Sequence, residues 1–162
     1  MHEVDPKVAF HLLKPERVVF VISINEKFQP NGLVAARCVV LSGNPPHMAV
    51  SLGTEYNTSK LIKKSKEFVI SVANKSLKKY ILLFGKKSGK TIDKFFESKV
   101  RTTPSKFLKT PMLKDATFNF ECKLVRQFEI GTSTVFVGKV LAAYHNKKRK
   151  ILFNLGKKFK EI

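Results

Sequence analysis

At 162 residues and 43% apolar content, the chain is long enough for one domain, 1–162, with its own core, and too short for two comfortable ones. No run approaches transmembrane length, and Met1-His2-Glu3-Val4-Asp5-Pro6 has neither a cationic start nor an apolar segment, so no membrane span or leader is expected and the cytoplasm is the default. The net charge of +19 is uneven: residues 1–57 carry five basic and five acidic side chains, whereas residues 58–162 carry 26 and seven.

Residues 18–24 form a β-branched run that reads as a strand. It is ended by the polar turn 25–32, where Pro30 fixes φ and Asn31-Gly32 tolerates the turn geometry. Residues 33–41 return as the second strand of a hairpin. Two prolines in Ser42-Gly43-Asn44-Pro45-Pro46 remove two donors and break the ladder, and residues 47–52 restart it. Asn57 or Thr58 is the expected N-cap of a helix with Leu61-Ile62 on one face. Residues 68–72 read as a buried strand, and Leu77, Tyr80, Ile81 and Phe84 as a helix stopped by Gly85. Further on, Phe118, Phe120, Cys122 and Leu124 alternate with Thr117, Asn119, Glu121 and Lys123, the pattern of a strand with one wet face. Residues 135–143 give the next strand, with a bulge or close backbone approach at Gly138, and residues 151–153 a last short one. Many short strands with a few short helices predict a mainly β barrel rather than a doubly wound sheet.

Cys38 and Cys122 each sit in an apolar run, as buried free thiols would, and the four histidines have no ligand spacing, so no structural metal is predicted. Gly85-Lys86-Lys87-Ser88-Gly89-Lys90-Thr91 is one residue short of a phosphate loop and follows a helical pattern instead of a strand; no G-x-G-x-x-G occurs. The lysine runs are expected to bind nucleic acid only weakly and non-specifically, because arginines are few and aromatics do not interleave with the charge. No paired carboxylates and no nucleophile with its base stand out.

Several motifs follow one another in a recognisable order: Pro30-Asn31-Gly32-Leu33-Val34-Ala35-Ala36-Arg37-Cys38-Val39, Pro45-Pro46, Thr58-Ser59-Lys60, Asp93-Lys94-Phe95 and Val135-Phe136-Val137-Gly138. Together they resemble the FMN-binding split barrel of the flavin reductase-like and flavoredoxin-like proteins. The resemblance implies a Greek-key type split β-barrel, FMN as cofactor and a homodimer. It implies flavin contacts at Asn31, along Ala35, Ala36, Arg37, Cys38 and Val39, at Thr58 beside Asn57, and at Lys94. Ser133 stands where relatives often carry His, Arg37 where they often carry an aromatic residue, and Phe159 where some place an aromatic over the flavin. The residues suit the chemistry: a phosphate wants a helix start with a cation nearby, and a flat ring wants small residues that let backbone approach. Taken alone, Asn31 also reads as a turn former, Thr58 as a cap, Lys94 as a surface charge and Arg37 as a solvent-facing charge.

The implied function is an NAD(P)H-dependent flavin reductase passing electrons to free flavin, iron or a protein acceptor, or a flavoredoxin-type carrier that does not use NAD(P)H. The alternative from another class is a basic β-barrel binding module for nucleic acid without flavin.

Overall fold

The computed structural model describes residues 1–162. The chain runs α1 (Pro6–Leu12), β1 (Glu16–Arg17), β2 (Val19–Ile24), β3 (Pro30–Ala35), β4 (Cys38–Gly43), β5 (Pro46–Gly53), α2 (Asn57–Ser65) and β6 (Glu67–Val72). It continues through a 3₁₀ turn (Lys75–Tyr80), α3 (Ile81–Lys86), α4 (Lys94–Ser98), β7 (Thr102–Thr103), β8 (Met112–Leu113), β9 (Phe118–Ile130), β10 (Ser133–His145), β11 (Leu152–Asn154) and β12 (Phe159–Glu161). Seven strands form an antiparallel sheet in the order β3-β2-β6-β9-β10-β5-β4, and β1, β11 and β12 form a smaller one. No helix is long and apolar enough to cross a membrane.

The β-branched runs at β2 and β6 lie in the middle of the large sheet and are buried along their whole length, which is why they read as continuous apolar strings. Their alternate residues feed two cores. Val19, Val21, Phe68 and Ile70 join Val50, Phe136 and Ile62 of α2 on one face; Phe20, Ile22 and Val69 join Leu77, Phe84 and Leu113 on the other.

The strand expected over 33–41 is two strands. β3 pairs with β2 and β4 with β5, on opposite edges of the sheet. The ribbon bends at Ala36 and Arg37, where the Cys38 N–H donates to the Ala36 carbonyl at 2.8 Å, and the Ser51 N–H of β5 donates to the Arg37 carbonyl at 3.0 Å. One bent ribbon thus joins both edges and closes the sheet into a split barrel.

The turn is also shorter than the expected 25–32. The Asn25 side-chain oxygen accepts from the N–H groups of Lys27 and Gln29, both at 2.9 Å, and Phe28 takes the positive φ of 61°. Asn31 and Gly32 are therefore already in β3, opposite Ser23 and Ile22. Pro45-Pro46 forms the tip of the β4–β5 hairpin and does not break a ladder, since Gly43 still pairs with Pro46. Helix α3 runs past Gly85 to Lys86. A bulge does fall at Gly138, where a Cβ would lie 2.7 Å from Phe68 and 2.8 Å from Cys122.

The face expected to be wet on β9 stays exposed only at Lys123; Thr117, Asn119 and Glu121 are buried, because the segment 99–116 folds over them. Glu121 is fully buried, its carboxylate accepting from the N–H groups of Lys106 and Phe107 and from the Tyr144 hydroxyl, all at 2.8 Å. Buried Glu67 takes the N–H groups of Lys109 and Thr110 and the Thr110 hydroxyl in the same way. Two carboxylates thus satisfy the backbone of a loop that has little regular structure to do so.

Candidate functional site

Helix α2 starts at Asn57 behind Tyr56, so Asn57 and Thr58 occupy its first turn and neither is the N-cap. Tyr56 has no side-chain oxygen within reach of the helix amides. No side chain caps α2, and the N–H groups of Asn57, Thr58 and Ser59 have no acceptor within the chain. A helix start of this kind combines bare donors with the positive end of the helix dipole.

Facing it is Asn31, 8% exposed. Its oxygen accepts from the Gly32 N–H at 2.9 Å, while Nδ2 is buried and has no partner. Gly89 packs so tightly on this carboxamide that a Cβ there would meet Nδ2 at 2.1 Å. Asn31, Asn57, Thr58, Lys86, Lys87 and Lys90 line one pocket of about 320 Å³, with Lys94 at its base. Lys94 is 4% exposed and donates to the carbonyls of Gly32 at 2.9 Å and Phe84 at 3.1 Å. It has no carboxylate partner, and burial pushes its pKa down to about 8. The basic stretch 86–90, which fails as a phosphate loop, thus surrounds an anion-sized pocket for a different reason: it straps across a helix start supplied by another segment.

Leu33, Val34, Glu55 and Tyr56 line both this pocket and a wider cleft of about 1070 Å³, so the two form one trough. The cleft brings together Ala35, Ala36, Arg37 and Ser133, with Ser51 on its floor strand and Phe10 and His11 of α1 at its side. Ala35 and Ala36 are half-buried and offer little side chain; Arg37 is exposed on the cleft. The trough therefore joins a donor-rich cationic end to a flat end walled by small residues.

Three expected residues lie outside it. Cys38 is half-buried against the barrel core, where burial pushes its thiol up to about 11 against the opposing pull of Arg17. Val39 is exposed on β4. Phe159 sits in β12, packed on the other core, with the Lys78 ammonium 5.7 Å from its ring centroid. Sequence reasoning missed Gly89, Lys90 and Tyr56, as well as Phe10 and His11. The first two lay in plain view in the near-phosphate-loop motif; α1 gave no periodicity, since it buries no residue.

The residues present fit a flavin carrying a phosphate: an orphaned buried amide, bare helix donors and lysines at one end, and a wider cleft with Ala35, Ala36 and Ser133 on its lining at the other. The model of the flavin reductase like domain matches residues 13–162. A protein of Pyrococcus abyssi is 34% identical over 151 residues, covering 90% of this chain and 86% of its own. Among solved structures, the NADH:FAD oxidoreductase SgcE6 of Streptomyces globisporus C-1027 superimposes with a TM-score of 0.87 at 22% identity, covering 100% of this chain and 98% of its own. The flavoredoxin of Desulfovibrio vulgaris (Miyazaki F) has a TM-score of 0.87 at 21% identity, covering 100% and 93%.

Proposed function

The chain belongs to the flavin reductase-like domain family, and from that premise we propose that it is a single-domain, cytoplasmic FMN-binding oxidoreductase that takes reducing equivalents from NAD(P)H. The observation that carries FMN is the pairing of the orphaned Asn31 Nδ2 with the uncapped start of α2 in one lysine-lined pocket. Donors of this kind recognise a terminal phosphate.

In this reading the amides of Asn57, Thr58 and Ser59, the Asn31 carboxamide and Lys90 hold the phosphate, and Lys94 supports them with its charge from below. Ala35 and Ala36 let main-chain N–H groups come close to the ring edge, while Leu33, Val34 and Tyr56 keep water from the middle of the trough. Bound there, FMN would supply a hydride acceptor and a store of electrons for free flavin, iron or a protein acceptor. No residue has to act as an acid or base in hydride transfer.

A homodimer completes the proposal. Phe10 of α1 and Ile130 of β9 line the cleft, Val8, Leu12 and Phe128 are exposed on the same two elements, and Val39 and Val40 are exposed on β4, which pairs with β5. Such an apolar rim suits a second copy that closes the open side of the ring end.

The test is direct. Purified protein is mixed with FMN, FAD or riboflavin, desalted, and its visible spectrum recorded; FMN is expected to stay and to bleach on anaerobic addition of NADH or NADPH. Retention of no flavin would overturn the reading, and retention without bleaching would make the protein a carrier. Sedimentation velocity checks the dimer.

A further inference from the structure

A second cationic cleft lies at the other end of β10. Ser133 lines the trough and His145 this cleft, about 40 Å apart along the strand, and the two share no residue. The cleft encloses about 680 Å³. Lys106 and Lys114 reach it from the segment that covers β9, and Lys147 and Lys148 from the turn after β10. No Asp or Glu lines it, and none of the four lysines is in an ion pair.

Both walls are fixed before any ligand arrives. On one side Glu121 holds the Lys106 N–H, and the Lys114 N–H donates to the Arg101 carbonyl at 3.0 Å. On the other, the Asn146 N–H donates to the Thr117 carbonyl at 2.8 Å, and the Asn146 oxygen accepts from the Lys148 N–H at 3.3 Å. Four like charges held over one cleft repel one another, and a polyanion relieves that repulsion.

The chemistry narrows the anion. Lysines are point charges without the bidentate geometry that reads carboxylates or base edges, so they attract charge and not sequence. Tyr144 is half-buried with its hydroxyl committed to Glu121, but the imidazole of His145 lies exposed on the lining, stacked on Phe118 at 4.2 Å between ring centroids, and gives the cleft one ring for a base to stack on without reading its identity. No helix start points into the cleft to grip a single phosphate, and exposed Arg149 and Lys150 continue the charge past its rim. We propose that this cleft binds the sugar-phosphate backbone of single-stranded nucleic acid, without sequence preference and independently of the flavin trough.

The test compares two variants of equal net charge by fluorescence anisotropy with a labelled 12-nucleotide single strand across a salt series. K106Q/K114Q/K147Q/K148Q empties the cleft of charge; K27Q/K139Q/K157Q/K158Q removes the same charge from exposed positions elsewhere. The cleft variant is expected to lower the slope of log affinity against log salt by about 3, from about 0.7 per lost phosphate contact, with the control changing it by less than about 1. Bound oligonucleotide should leave FMN binding unchanged. Equal losses in both variants would mean a diffuse surface charge and overturn the proposal, as would competition by FMN. Displacement by inorganic tripolyphosphate at equal phosphate concentration would also overturn it, by assigning the cleft to free oligophosphates.

Discussion

Lys94 of α4 donates its ammonium to the main-chain carbonyl of Gly32 in β3 at 2.9 Å, 62 residues away in sequence, and so places a cation directly beneath the strand that carries Asn31. Two carbonyl dipoles are its partners and no carboxylate neutralises it. A buried charge in that condition disfavours its own protonated form and favours an anion nearby.

Two pH effects of opposite sign are expected. Because burial lowers the folded-state pKa to about 8, the unfolded chain binds more protons than the folded one from there up to the ordinary lysine value of 10.5. Stability of the flavin-free protein should therefore rise with pH across that window, by at most about 1.4 kcal/mol per pH unit. FMN affinity should instead fall above pH 8, by up to about tenfold per unit, because the phosphate favours the charged lysine. Denaturation curves and fluorescence titrations from pH 7.5 to 10.5 check both, and Lys94→Met should flatten both.

Asn31→Ala should weaken FMN by about ten- to hundredfold while leaving riboflavin nearly unchanged, the cost of a lost bond to a charged group being about 1.5–3 kcal/mol, whereas Thr58→Ala keeps its main-chain N–H and should weaken FMN much less. Asn31 makes one bond, to its neighbour's N–H, so thermal stability should change little. Parallel titrations with the two flavins separate the phosphate end from the ring; equal loss for both would move the residue to the ring.

Gly89→Ala and Gly138→Ala should part company. A methyl at residue 89 would meet the Asn31 carboxamide at 2.1 to 2.5 Å, so the strap must move and FMN binding should drop with it. At residue 138 the methyl would strike Phe68 and Cys122 inside the barrel. That variant should lose about 1–3 kcal/mol of stability and keep its flavin affinity once folded. Chemical denaturation together with FMN titration distinguishes the two patterns.

Arg37 lines the ring end of the trough from an exposed position, so its charge should act across solvent-screened distance. Arg37→Trp should lower the reduction potential of bound flavin by about 20 mV for the two-electron couple, or about 1 kcal/mol, without loss of FMN. Spectroelectrochemical titration measures it; an unchanged potential would show that the guanidinium has no influence on the ring.

The central strands were legible because burial on both faces writes a short apolar run, and its β-branched content and six-residue length separate it from a buried helix, as at β2 and β6. The alternation around Glu121 was legible as a strand and misleading as to its environment: a carboxylate facing water and one facing a row of loop N–H groups have the same sequence pattern. The bend at Ala36-Arg37 carries no Gly, Pro or Asn, since it is imposed by the hydrogen bond from Ser51 and not by local preference. The anion pocket was half legible. Asn31, Thr58 and Lys94 came through the resemblance, but which basic loop folds over them depends on contacts far apart in the chain.

The sheet order has a further consequence for how the molecule assembles. β2, β3, β4 and β5 are consecutive in the chain and flank the sheet as two hairpins joined at Ala36-Arg37, whereas β6, β9 and β10 fill the gap between β2 and β5. The hairpins can form early from local contacts, but the barrel wall is complete only when β10, some 80 residues later, pairs with β5. During synthesis the apolar edges of β2 and β5 therefore wait, open and adhesive, for the second half of the chain, and that second half brings nearly all of the positive charge that keeps neighbouring copies apart.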